Sequence, residues 1–332
     1  MKLVLTLITA ATLLLCPARA RGSGAARPVE HIRLNGQEYL RLADWAANRE
    51  MEARWVKRDE TVQLSGRSAK VVLEVDSREA QVNGVEVWLS FPVLQRGGAC
   101  YLARLDAETT LQPLLSPPGA RAGATLNKLC LDPGHGGKDP GYCVGTEQEK
   151  KYTLLLAQEV RQCLARAGFK VSLTRTSDKF VELPERPDMA RARNADLFIS
   201  LHFNAAEASK SSVRGAQVFC LTPAGASSTN AGGEGAGAGW CAGNRNNEKN
   251  LFLAYEVQKS LTRNLELEDR GVRRARFAVL RDAVMPAILI EAGFMSHPAE
   301  GKKIFTVSYR KQLAQAIADG ILAYRNGVER RG

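Results

Sequence analysis

The chain changes its hydrophobic rhythm once, near residue 116, and that change limits the folds open to it. From Val71 to Leu102 apolar and polar residues alternate, and the runs are broken by Asn83-Gly84 and Gly97-Gly98. Alternation of period two interrupted by such pairs is the mark of hairpins with one face on a core. Residues 28–115 therefore read as a small, mainly β domain, with one helix expected over Gln37 to Ala47. The stretch Ser116 to Ala124, SPPGARAGA, then breaks the pattern, and a linker is placed at 116–126.

After the linker, short apolar runs alternate with helical stripes. Leu129 to Asp132 reads as a strand. The next helix carries Leu156, Val160, Leu164 and Ala167 on one face, and Gly168 ends it. Strands follow at Lys170 to Leu173, Leu197 to Leu201 and Ala216 to Leu221, with a helix across Pro184 to Asn194 between the first two. A helix from Leu251 to Leu265, strands near Phe277 to Leu280 and Ala287 to Ile290, and a last helix bearing Leu313, Ile317, Ile321 and Tyr324 complete residues 127–328. These strands are too apolar to have a wet face. The fold class expected is α/β: an open, largely parallel twisted sheet with helices on both faces, preceded by the small β domain. At 332 residues and 45% hydrophobic content the chain can bury cores for both parts. Residues 225–247 hold seven glycines and no periodicity, and read as a mobile surface loop.

The first 20 residues set the compartment. Lys2, an apolar run from Leu3 to Cys16 and Ala18-Arg19-Ala20 match a signal peptide, so export to the periplasm or cell envelope is expected. Cys16 follows leucines where a lipoprotein signal wants a small residue, which argues for a soluble product. No later segment has the ~18 uninterrupted apolar residues of a membrane span. The formal charge of +11 falls to +9 once Lys2 and Arg19 leave with the signal, and favours an anionic partner. Nucleic acid is excluded as that partner, because no basic stripe is interleaved with aromatics. Six cysteines remain, without zinc-ribbon or C-x-x-C spacing, and Cys130, Cys163 and Cys220 read as buried thiols.

In open α/β sheets, ligands gather beyond the carboxyl ends of the strands. Three polar residues directly follow or end apolar strands: His135 after LCLD, His202 after LFISL and Glu291 after AILI. Glu149, opening the helix behind the His135 loop, is a fourth. Two imidazoles and a carboxylate form a zinc donor set with one position left for water, and a second carboxylate serves hydrolysis as base and acid. Gly134, Gly136 and Gly137 let the backbone around His135 turn and approach a ligand. Structural uses compete with these. Thr146-Glu147-Gln148-Glu149 fits a capping box that would occupy the Glu149 carboxylate, and Glu147 is an equal rival for the metal. Glu291 would also suit a structural salt bridge to an arginine.

Five segments in order, LDPGHGGKDPG, EKKYTLLLA, VSLTRTSDKFVEL, ADLFISLHFNA and RGVRRARFAVLRDAVMPAILIEAGFMSHP, resemble the motifs of the zinc-dependent N-acetylmuramoyl-L-alanine amidases from about Leu129 to Arg325. The resemblance implies one Zn2+ held by His135, Glu149 and His202, with Glu291 as catalytic carboxylate, and so selects Glu149 over Glu147. It implies hydrolysis of the amide between N-acetylmuramic acid and L-alanine in peptidoglycan. Asn204 and Arg281, with Arg270, Arg273 and Arg274 as further candidates, are expected to grip stem-peptide carboxylates. Lys151 and His297 depart from the residues usual in the family, and neither is a ligand. In some members an inserted helix covers the zinc until a partner displaces it; the glycines of 225–247 argue against such a helix, and the sequence names no protein activator. Residues 28–115 loosely resemble the β domain at the N-terminus of copper amine oxidases, which implies docking or spacing. Two other functions fit the same residues: a wall-binding regulator with an unused site, and a zinc peptidase acting on other peptides, although the H-E-x-x-H helix of common metalloproteases is absent.

Overall fold

The computed structural model describes residues 28–120, 125–208, 211–230 and 239–330. The expected signal peptide and parts of the expected linker and glycine-rich loop lie outside them. The strands run β1 (His31–Leu34), β2 (Gln37–Arg41), β3 (Glu52–Lys57), β4 (Thr61–Ser65), β5 (Lys70–Glu74), β6 (Glu79–Val82), β7 (Val85–Trp88), β8 (Leu94–Arg96) and β9 (Ala99–Ala103) in the N-terminal part. They continue as β10 (Lys128–Pro133), β11 (Cys143–Val144), β12 (Glu147–Gln148), β13 (Lys170–Leu173), β14 (Leu197–Asn204), β15 (Ala216–Leu221), β16 (Asp269–Ala275) and β17 (Ala287–Phe294).

Among the described residues, β1-β2-β9-β8 form a small antiparallel sheet, and eleven strands form one sheet in the order β13-β10-β14-β17-β15-β16-β7-β6-β5-β4-β3. Its C-terminal half is parallel apart from β15 against β17. Its N-terminal half, β7 to β3, is an antiparallel meander. The helices Glu149–Arg166, Asn247–Leu265 and Val307–Glu329 cover one face of the parallel half, over a core that includes Leu156, Leu253, Ile288 and Ile317. The helices Glu185–Ala192 and Ala278–Arg281 cover the other face, over Phe198, Phe219, Val279 and Leu289. The α/β class with helices on both faces is therefore observed, with one antiparallel pair inside it.

The two halves join where β7 meets β16 at Val87 and Val272. Around this seam the Glu86 amide donates to Asp269 at 2.9 Å, the Tyr255 hydroxyl donates to the Val82 carbonyl at 3.1 Å, and Arg273 stacks over Trp88. Arg274 is fully buried and donates to the Thr109 carbonyl and Thr110 Oγ1. Thr110 passes the contact on to Asp106, whose carboxylate also takes the Ser90 and Phe91 amides. Burial pushes the Asp106 carboxyl up, against those donors and the Arg274 charge. Between the halves, the Ala120 amide bonds to the Val328 carbonyl and the Leu126 amide to the Glu329 carboxylate.

Three local expectations differ from the structure. Within the surface loop expected over 225–247, Ala242–Asn246 form a helical turn, Asn247 opens a helix, and Ala226, Ser228 and Asn244 are buried. Gln37–Arg41 is strand, and only Leu42–Ala47 is helical. Asn35 and Gly36, with φ of 49° and 76°, make a two-residue hairpin turn that pairs β2 with β1, while β9 takes its other edge. Tertiary pairing thus overrides the helical spacing. Residues 278–281 are a helical turn instead of a strand, and the strand lies earlier, at β16, whose three arginines and one aspartate leave no apolar run to mark it in the sequence.

Candidate metal centre

The turn after β10 presents His135. Its backbone sits at φ 62°, a left-handed conformation uncommon for a side chain larger than glycine, so the surroundings have to impose it. Two arginines do so. Arg186, 2% exposed, donates to the carbonyls of Pro133, His135 and Val181 and forms a 2.9 Å ion pair with the fully buried Asp132. Arg175 donates to the carbonyls of Pro133 and Gly134. Asp132 is completed by the Thr174 and Ser200 hydroxyls at 2.6 and 2.8 Å.

Of the three glycines expected to allow a close approach, Gly134 makes one to the site, while Gly136 and Gly137 lie against Lys179, Arg175 and Phe180; Gly141 adds a second close approach. A methyl group at Gly134 would overlap the His202 ring, and one at Gly141, φ 65°, would lie 2.6 Å from Glu149 Oε2 and 2.8 Å from His135 Cδ2. His202 stands near the end of β14, in register with Glu291 on β17, which is in register with Gln217 on β15. Adjacent residues in register share a face of the sheet, so His202 and Glu291 project to the same side. A bulge between His202 and Asn204 follows at once.

Glu149 is the first residue of its helix, behind the N-cap Gln148, so it cannot be the third-position member of a capping box. The first helical amides are satisfied by loop carbonyls instead: Glu149 by Tyr142 and Lys150 by Pro140. The Glu149 side chain, 4% exposed, is thereby released to turn inward. Its Oε1 lies 3.0 Å from His135 Nε2 and 3.1 Å from His202 Nδ1, and the two nitrogens are 3.2 Å apart. Backbone amides of Tyr142 and Phe203 donate to the same carboxylate. Glu147 turns the other way, to Lys151 and Tyr152. His135, Glu149 and His202 form a group that could hold a metal ion.

Electrostatics separate the two site carboxylates. Burial would raise Glu149, but the two imidazoles and their hydrogen bonds overcome it and hold the carboxyl well below the ordinary range. Glu291 is pushed well above its ordinary value by burial and then by the Glu149 charge, and its Oε2 is a buried atom without a hydrogen-bond partner among the described residues. Carboxylates driven apart in this way suit different tasks. Burial lowers His135, and the carboxylates of Glu149 and Asp139 outweigh it, so the imidazole is raised.

A cavity of about 330 Å³ opens over the cluster. Asn204 and Glu291 line it beside the histidines, and Leu183, Phe277 and Val279 form an apolar wall. The expected arginines do not reach it. Arg281 is exposed at the end of its helical turn, Arg274 is committed to the seam, Arg273 lies over Trp88 and Arg270 over Phe294. Sequence reasoning missed Asp139, four residues along the His135 loop, and Arg186 and the apolar wall, which reach the site through tertiary contacts; none of them carries a strand-end signal.

The sequence model of the N-acetylmuramoyl-L-alanine amidase family matches residues 129–323. The chain is 37% identical over 253 residues to N-acetylmuramoyl-L-alanine amidase AmiC of Neisseria meningitidis serogroup B, which covers 69% of this chain and 59% of that protein. It is 31% identical over 233 residues to AmiA of Escherichia coli K12, covering 63% of this chain and 80% of that one. Among solved structures, the N-acetylmuramoyl-L-alanine amidase AmiC2 of Nostoc punctiforme superposes with a TM-score of 0.50 at 33% identity, over 61% of this chain and 98% of the other. An N-acetylmuramoyl-L-alanine amidase from Clostridium difficile 630 gives 0.51 at 28% identity, over 61% and 98%.

Proposed function

The chain belongs to the N-acetylmuramoyl-L-alanine amidase family, and from that premise we propose that it hydrolyses the amide between the lactyl group of N-acetylmuramic acid and L-alanine in peptidoglycan. One observation carries the reading at residue level: His135 Nε2, His202 Nδ1 and Glu149 Oε1 lie within 3.2 Å of one another, with Glu291 in register beside His202. Two imidazole nitrogens and one carboxylate oxygen suit zinc with a position left open, and the glycines at 134 and 141 leave room that a methyl would fill. When bound, Zn2+ supplies a Lewis acid that polarises the scissile carbonyl and makes water more acidic, toward a pKa of ~7.

The protein's own groups do the rest. Glu291 accepts the proton of the attacking water and delivers it to the departing amine, a service worth roughly 10²–10⁴-fold in rate. Its raised pKa suits a carboxyl that must hold a proton in mid-reaction. Glu149 stays ionised for the metal. Asn204 contacts the substrate from the cavity edge, while Leu183, Phe277 and Val279 keep water from the apolar side. In this reading residues 1–20 direct export to the periplasm or envelope, 28–115 dock or space, 116–126 link, and 127–328 catalyse. No helix among the described residues is long and apolar enough to cross a membrane.

Digestion of purified sacculi, followed by mass spectrometry, tests the proposal. Soluble stem peptides with a free alanine amine are expected, and a chelator should abolish their release. Glu291→Ala should lose activity and keep its zinc; retained activity would remove Glu291 from its role. Bound zinc without release from sacculi would favour the wall-binding regulator, and cleavage of unrelated peptides would favour a peptidase.

A further inference from the structure

We infer that Asp139 is a positioning residue that fixes which nitrogen of His135 faces the metal; this rests on the reading of His135 as a ligand. Asp139 Oδ2 lies 2.8 Å from His135 Nδ1, on the side of the ring opposite Glu149 and His202. Its other oxygen, Oδ1, accepts the Gly141 amide at 3.0 Å. Mutual backbone bonds between Gly136 and Asp139, 2.9 and 3.1 Å, close the loop that carries both side chains. The carboxylate is therefore held in place before anything binds.

An ionised carboxylate accepts hydrogen bonds and donates none. With Asp139 at Nδ1, the ring N–H belongs there, and Nε2 is the nitrogen presented to Glu149 Oε1 and His202 Nδ1. Hydrogen bonds of this type set both the tautomer and the orientation of metal-binding histidines. The second histidine is held differently. His202 presents Nδ1 instead of Nε2, and its ring is placed by the strand and by close packing on Gly134. Asp139 thus governs one of the two imidazoles, and the one whose own backbone is strained at φ 62°.

Asp139→Asn is the discriminating variant. Its single amide oxygen can satisfy Gly141 or His135 but not both. If the amide oxygen keeps Gly141, the NH2 group faces Nδ1 and favours the proton on Nε2, where the metal should be. Zinc affinity of the full chain, measured by competition with a chelator, is expected to fall about 10–100-fold. Thermal unfolding of the zinc-free protein should stay close to wild type. Wild-type and variant affinities that agree within about twofold would overturn the inference, and leave the zinc reading intact. A wild type that binds no zinc would overturn both. A second measurement does not depend on the variant folding: 15N imidazole spectra of zinc-loaded wild type should show His135 protonated at Nδ1 and ligated through Nε2. Ligation through Nδ1 would overturn the inference.

Discussion

The two ends of the eleven-stranded sheet use glycine and charge in opposite ways. At the N-terminal end, β6 and β7 are joined by Asn83-Gly84, and Gly84 at φ 79° has nothing among the described residues within 4 Å of the place a Cβ would take. Its glycine serves the turn alone. Charges there pair at the surface, as Lys57 does with Glu60. At the C-terminal end the strands are parallel, and β10 lies between β13 and β14, both distant in sequence. Gly134 is pressed against an imidazole, Gly141 against the Glu149 carboxylate, and Arg186 and Asp132 are paired in full burial. Parallel strands end together, and so gather polar side chains from separate segments; a meander of hairpins does not.

That contrast can be broken most forcefully at its buried ion pair. Arg186→Met leaves the Asp132 carboxylate without its cation, and should cost about 3–5 kcal/mol in denaturant unfolding. Lys57→Ala, at the exposed pair, should change stability by less than ~1 kcal/mol. Comparable losses from the two variants would erase the distinction drawn here. The seam comes next. Arg274→Met removes charged hydrogen bonds to Thr109 and Thr110 and the cation near Asp106, and is expected to cost about 2–3 kcal/mol. A variant that unfolds in two steps by circular dichroism, where wild type unfolds in one, would show that the halves fold independently despite their shared sheet.

Paired glycine substitutions sharpen the comparison further. Gly84→Ala should cost about 1–2 kcal/mol through its positive φ and leave activity on sacculi unchanged. Gly134→Ala, at a residue with no positive φ, should instead reduce zinc retention at equilibrium dialysis, because the added methyl displaces His202. The smallest effect is expected at Arg281, which the cavity does not include. Arg281→Ala should leave kcat/KM within about twofold of wild type, and a larger loss would return it to the substrate.

How much of this could be read in advance depends on the range of each signal. His135, His202 and Glu291 were legible because an apolar run followed by a polar residue marks a parallel strand's end, and that mark is local. Glu149 was ambiguous with Glu147 because the choice depends on where the helix begins. With Gln148 as the N-cap and loop carbonyls taking the first amides, the ambiguity ends. Asn35-Gly36 carries the same turn chemistry as Asn83-Gly84 and marks β2, although helical spacing through Gln37 to Ala47 pointed elsewhere. The arginines of β16 suggested substrate contacts, and the burial of Arg274 at the seam cannot be inferred from charge.

By itself the sequence determined the kinds and order of most elements, the change from hairpins to βα alternation, and which polar residues stand at the strand ends. These follow from periodicity and turn chemistry within a few residues. Only the tertiary structure decided that the N-terminal meander extends the same sheet, since its seam joins Glu86 to Asp269 across 183 positions. It also decided which nitrogen of each imidazole meets Glu149, and that Asp132 is paired with Arg186. Such pairings depend on the relative placement of whole elements in a shared core, and no local pattern of residues encodes that placement.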